Sequence, residues 1–174
     1  MPFVNAWGAE RLGSYRVAPD PVAGGRPALW SDDYGDEPDF TRQNPGRQRR
    51  CMVEGLCQVC GKAVPWSRRN LVVAPLSTEW VFVESLRRDV PVVTEPWLCD
   101  RCCEIAVGWC PALIRRRRDE QLLVVPVRSP REVVPVLSTG SVDGFPEAGS
   151  AIALWAKLQL PGLDIRRAGP AGVR

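Results

Sequence analysis

Cys57-Gln58-Val59-Cys60-Gly61 and Cys99-Asp100-Arg101-Cys102 are two C-x2-C pairs separated by 38 residues, and their reading decides the fold. Thiolates hold zinc tetrahedrally at about 2.3 Å, and a C-x2-C turn lets two sulfurs converge on one ion while backbone amides hydrogen-bond them. Two such turns fill the shell. The spacing therefore predicts a closed, structural Zn2+ site ligated by Cys57, Cys60, Cys99 and Cys102. Cys103 adjoins Cys102 and is an alternative ligand. At a helix N-terminus its thiol would have a lowered pKa and be reactive; a buried, inert Cys103 is the competing reading. Cys51 and Cys110 read as small side chains packed in the core.

Between the pairs, Leu71–Ala74 and Trp80–Glu84 have the β-branched and aromatic content of strands, and they are expected to pair as a hairpin. Val90–Val93 adds a third extended piece, which its proline would keep at a sheet edge. From Cys99 to about Arg117, Ile105, Ala106, Trp109, Leu113 and Ile114 recur at helical spacing, with Cys102, Ala106 and Trp109 on one side. A helix starting at the second pair is the simplest reading; Pro111 removes a backbone donor inside that run and would kink the helix or end it near Trp109 or Cys110, with two short helices as the alternative.

Upstream of the first pair, Asn44 reads as an N-cap, Pro45 as the first helical residue and Gly55 as the C-terminal stop. Residues 1–43 scatter Phe3, Trp7, Tyr15, Trp30, Tyr34 and Phe40 among Pro, Gly and Asp without a sustained period, and read as an extended aromatic arm whose rings are anchors for the chain's own core or for a partner. Downstream, Leu122–Val127 and Val133–Leu137 are expected to form a second hairpin. A loop follows over 138–150, then Ala151, Leu154, Trp155 and Leu158 suggest a short helix ended by Pro161, and a tail. The expected organisation is α+β: an arm over 1–43, a zinc-stapled core over 44–137 and a C-terminal extension over 138–174.

The 174 residues suffice for one domain with a real core, and 17 prolines and 15 glycines keep its elements short. An odd number of cysteines, seven, in C-x2-C pairs and without a signal peptide points to reduced thiols in a cytoplasmic protein. No run approaches the roughly 20 apolar residues that span a bilayer, so no membrane association is expected. Residues 1–40 set three arginines against seven acids, whereas residues 41–70 set six arginines and Lys62 against Glu54 alone. An acidic arm thus precedes a basic segment. Arg42, Arg47, Arg49, Arg50, Arg68, Arg69 and the run Arg115, Arg116, Arg117 and Arg118 are candidate contacts to DNA or RNA phosphates. A solvated helix end accounts equally for the last four.

A zinc knuckle, a hairpin and then a helix whose first turn donates the second pair resemble the treble-clef zinc finger, over roughly residues 55–115. A zinc ribbon is the rival, and a helix over 103–110 would exclude it. Treble clefs also carry His-Asn-His nuclease sites, but this chain contains no histidine. That removes the general base of such nucleases, every His-dependent triad and every His-ligated catalytic zinc. A nucleobase deaminase also needs a ligand-x-Glu and a P-C-x-x-C; here Glu54 follows Cys51 by three and Pro96 precedes Cys99 by three. With four thiolates the ion has no open position for water. No enzyme activity and no small-molecule substrate are expected.

The run Arg47-Gln48-Arg49-Arg50-Cys51-Met52-Val53-Glu54-Gly55-Leu56-Cys57-Gln58-Val59-Cys60-Gly61, followed by T-E-P-W-L-C-D-R-C over 94–102 and W-C-P-A-L over 109–113, resembles small four-cysteine zinc proteins of actinobacteria and their phages. The resemblance covers about residues 45–115 and implies no particular activity. A phage origin would imply virion assembly, as a head or tail accessory component. The sequence reading is therefore a non-enzymatic structural or assembly protein acting on protein partners. The alternative is a nucleic-acid-binding regulator.

Overall fold

The structure, a computed structural model, describes residues 2–8, 15–31, 35, 37–118, 122–141, 152–163 and 165. Along the chain run β1 (Asn5–Trp7), β2 (Tyr15–Pro19), β3 (Pro27–Ser31), β4 (Pro38–Gln43), α1 (Pro45–Glu54), β5 (Arg69–Val73), β6 (Glu79–Val83), β7 (Arg88–Val93), β8 (Leu98–Cys99), α2 (Asp100–Trp109), α3 (Pro111–Arg118), β9 (Leu123–Val127), β10 (Val134–Gly140) and β11 (Ile152–Gln159). The mixed α+β class is as expected. Among the described residues the strands form three sheets: β1-β4, β8-β5-β9, and a six-stranded sheet in the order β2-β3-β11-β7-β6 with β10 on the side of β11.

Helix α1 begins and ends where its sequence signals lie. The Asn44 side chain accepts from the Arg47 amide, Pro45 supplies the first turn, and Gly55 closes the helix in the left-handed region at φ 71°. A Cβ at Gly55 would also push the Arg69 guanidinium aside, but it is the left-handed backbone that calls for glycine here. Pro45 through Arg49, Cys51 and Met52 are buried. The helix is enclosed rather than lying on the surface.

What encloses it was expected to be a helix. Residues 152–159 form strand β11, with Ile152, Ala153, Ala156 and Leu158 buried. Apolar spacing over eight residues cannot by itself separate a helix from a strand buried on both faces, and here three neighbouring strands settle the matter. β10 runs along β11 from Val134↔Gln159 to Gly140↔Ile152. β3 pairs in parallel at Ala153↔Ala28, and β7 pairs at Leu158↔Val93 and Gln159↔Val92. Between those two short contacts the Gln48 side chain takes the ladder position: its amide nitrogen donates to the Ala156 carbonyl, and its carbonyl accepts from the Ala156 amide at 2.9 Å.

Neither expected hairpin forms. β5 pairs with β8 and β9, while β6 pairs with β7. A 3-10 turn over Pro75–Ser77 turns the chain away from β5, and a tight turn with Arg87 at φ 50° returns β6 onto β7. Likewise β9 joins β5 and β10 joins β11, so Leu122–Val127 and Val133–Leu137 enter different sheets. Nor is β7 an edge strand. β11 pairs with it just past Pro91, whose carbonyl accepts from the Leu160 amide at 3.0 Å, so the missing proline N–H is not called on.

Residues from all three expected segments share one sheet, because β2 and β3 precede residue 44, β6 and β7 follow it, and β11 lies beyond residue 138. The described part of the N-terminal stretch is therefore built into the fold as strands. Tyr34, most of the expected 138–150 loop and the C-terminal tail lie outside the described residues. The main core gathers Met52, Leu71, Trp97, Leu158 and Leu160, and a second cluster forms around Cys57, Leu98, Cys102 and Val107.

Candidate metal centre

Leu56 and Ala63 make a single antiparallel bridge that closes the first cysteine turn. Within it the Cys57 amide donates to the Lys62 carbonyl and the Gly61 amide to the Cys57 carbonyl, both at 2.8 Å. Gly61 has φ 69°, and a Cβ there would lie 3.0 Å from the Phe3 ring. That ring arrives because the Phe3 and Val4 amides donate to the Val59 and Gln58 carbonyls, each at 3.0 Å. The N-terminal residues thus brace the turn, a role that no sequence signal near Phe3 announces.

The second pair comes from a strand end and a helix start. Cys99 ends β8, held opposite Arg69 of β5, and is also the N-cap of α2, so Cys102 follows within the first turn. Asp100 accepts from the Asn70 side chain at 2.9 Å and ties that turn to β5. The two halves meet through the Gln58 amide on the Trp97 carbonyl at 2.8 Å and the Gln58 side chain on the Pro96 carbonyl at 3.0 Å. The Cys99 amide lies 3.5 Å from the Cys57 sulfur, as a donor to it.

The sulfurs of Cys57, Cys60, Cys99 and Cys102 all lie within 4.8 Å of one another. Tetrahedral thiolates about 2.3 Å from a central zinc are spaced by about 3.8 Å, so the cluster has room for one such ion and little more. Burial, together with contacts from the Cys99, Cys57 and Cys60 sulfurs, pushes the Cys102 thiol well above the usual cysteine range. Four crowded sulfurs cannot all be anionic unaided; a metal cation held between them would supply the missing charge. Cys57 is buried, whereas Cys60 is exposed.

Cys103 stands outside this group and is buried. Burial first, then the Asp100 and Glu104 carboxylates, push its thiol up to about 11. The lowering expected from the helix N-terminus is outweighed. Burial likewise pushes Cys51 up to about 12.

The arginines divide sharply. Arg49 is fully buried, its Nε 2.7 Å from Asp20, itself fully buried, and its guanidinium 5.3 Å above the Trp30 ring. Its Nη1 donates to the Leu154 carbonyl at 3.1 Å. Arg47 is buried and donates to the Asn5 carbonyl at 2.7 Å. Arg69 stacks on Trp66 at 3.8 Å and on Trp97 at 4.8 Å while donating to the Val64 carbonyl. These three are spent inside the protein and offer a phosphate little or nothing. Arg50 is exposed and pairs with Glu54, and Arg42 pairs with Asp39 at 2.6 Å. Arg68 and Arg115 to Arg118 are exposed. The sequence holds no sign of Asp20 as the partner of Arg49, because 29 residues separate them.

Helix α2 buries Cys102, Cys103 and Val107 toward the metal cluster. Trp109, at the end of the helix on the side of Cys102 and Ala106, is 81% exposed. Among the described residues no helix is long and apolar enough to cross a membrane. Neither family models, nor curated proteins, nor solved structures give a match to this chain.

Proposed function

We propose that this protein is a non-enzymatic structural or assembly protein whose four-cysteine centre holds a structural Zn2+ and which works through contacts with protein partners. The observation that carries this reading is the closed sulfur cluster: four thiolates complete a tetrahedral shell, leaving no position for substrate or water. The chain has no histidine to serve as base or catalytic ligand. Zinc there is a staple, joining the N-terminal residues, the first cysteine turn, β5, β8 and α2.

On this reading the centre is of treble-clef kind. The strands β5 and β8 make its hairpin, and the β6-β7 pair is an insertion between them. The helix α2 starting at the second cysteine pair favours this over a ribbon. A head or tail accessory role in a virion is the finer form of the proposal.

Metal analysis and sedimentation test it together. The expected outcome is about one zinc per chain and migration of the protein in its native extract as part of a larger complex. A strictly monomeric protein in that extract overturns the assembly role. The alternative, a nucleic-acid-binding regulator, draws its support from Arg68 and the exposed run on α3. Affinity for an oligonucleotide that falls with salt and is lost on replacing Arg115 to Arg118 by alanine would establish it.

A further inference from the structure

A groove of about 870 Å3 opens beside the metal centre, between α2 and α3 on one side and the sheet strands β5 to β7 on the other. Three large apolar side chains line it while standing in solvent: Phe40 is 67%, Ile105 45% and Trp109 81% exposed. Ile105 and Trp109 are four residues apart on α2 and form one ridge. The ridge is held at a fixed place, because the opposite side of α2 carries Cys103 and Val107 into the cluster around the four cysteines.

The charges around the groove are asymmetric. Arg116 lines it from α3, and Arg115, Arg117 and Arg118 continue the same exposed helix end. Among the described residues none of these four has an ion-pair partner, whereas Glu79 on the sheet side is tied to Lys157 at 2.7 Å. Glu95 also lines the groove and accepts from the Thr94 hydroxyl. Two macromolecules could use arginines and exposed aromatic rings. A single nucleic-acid strand needs basic walls along its backbone, but here the lining offers Arg116 alone against the Glu79 and Glu95 carboxylates. A peptide needs an apolar trough with charge at its end, which is what α2 and α3 provide.

We propose that this groove takes an acidic amphipathic segment of a protein partner, with its apolar residues against Trp109, Ile105 and Phe40 and its carboxylates at Arg116 and the arginine-rich end of α3. The inference rests on the protein-contact reading above and adds the partner's chemistry to it. Complementary charge then sets the orientation and speeds encounter, while the aromatic ridge supplies the anchor.

The test uses the full, metal-loaded chain and three fluorescent probes: a Leu/Glu amphipathic helix, a Leu/Lys helix of equal length and an oligo-dT strand. The Leu/Glu helix is expected to bind, with anisotropy titrations giving at least about tenfold weaker binding for Leu/Lys at low salt. Trp109→Ala and the Arg115–Arg118→Ser variant should each weaken Leu/Glu binding about tenfold, with metal content and circular dichroism unchanged. Absence of Leu/Glu binding by fully metal-loaded protein overturns the proposal, and so does equal binding of the two helices. Oligo-dT binding that Trp109→Ala abolishes assigns the groove to a nucleic-acid strand instead. Concentration-dependent self-association that the same variant abolishes assigns it to a second copy; either result overturns the peptide. If native complexes survive Trp109→Ala, this groove is refuted while the assembly role stands; if the wild type forms none, the assembly role itself fails.

Discussion

Asp20 and Arg49 pair in the interior of the fold, 2.7 Å apart. Both are fully buried, and Asp20 also accepts from the Val22 amide at 2.8 Å, so the carboxylate has work on both oxygens. Taking two charges out of water costs several kcal/mol each, and their attraction repays this only while both are present. Asp20→Ala leaves an uncompensated guanidinium and is expected to destabilise the protein by roughly 3–5 kcal/mol in denaturant titrations. Adding Arg49→Met to that variant should recover much of the loss; no recovery would mean that the charge is not the cause. Cys51 shows burial acting on a single thiol. Its folded pKa is about 12 against an ordinary 9.0, so the unfolded thiol ionises first as pH rises. The stability this contributes is complete below pH 9.0 and is lost as pH climbs toward about 12. Cys51→Ala should flatten that alkaline limb in a series of unfolding curves, and an unchanged limb would assign it elsewhere.

At the scale of elements, α1 and β11 share a joint that neither local sequence encodes. Gln48 occupies the gap between β3 and β7 on β11, and it also donates to the Thr94 carbonyl at 2.8 Å, just past the end of β7. Gln48→Leu keeps the volume but strips the Ala156 N–H and C=O of partners, at about 1–3 kcal/mol for each group left unsatisfied. Hydrogen exchange should show the Ala156 amide losing protection before β10 does. The helix itself was legible in the sequence, because Asn44, Pro45 and Gly55 act through bonds within four residues. The strand was not, since Ala151, Leu154, Trp155 and Leu158 recur at a period that suits a helix, and only the flanking strands make the extended form cheaper. The pairing errors over β5, β6, β9 and β10 have the same origin: proximity in sequence favours hairpins, while a strand apolar on both faces takes whichever neighbours bury it.

For the whole molecule, the four-cysteine cluster is a point where segments distant in sequence converge. Phe3 and Val4, the first cysteine turn and Trp97 are tied there by backbone hydrogen bonds, and α2 by the Asn70 side chain on Asp100. Structural zinc contributes about 10–16 kcal/mol of apparent binding energy in zinc-finger peptides, and that energy becomes folding energy where no site exists in the unfolded chain. Chelation is therefore expected to unfold the protein cooperatively, with far-ultraviolet dichroism and metal content lost together; a fold that persists after the ion has gone would refute the staple. The four cysteines that converge and the ends of α1 were determined by the sequence alone, because C-x2-C turns and helix caps are short-range chemistry. Tertiary structure alone decided that Arg47 and Arg49 are buried, that Arg69 lies on tryptophans and that Trp109 faces solvent. Whether a charge or an aromatic ring meets water depends on what packs over it, and Asp20, Asn5 and Trp97, which cover Arg49, Arg47 and Arg69, lie tens of positions away.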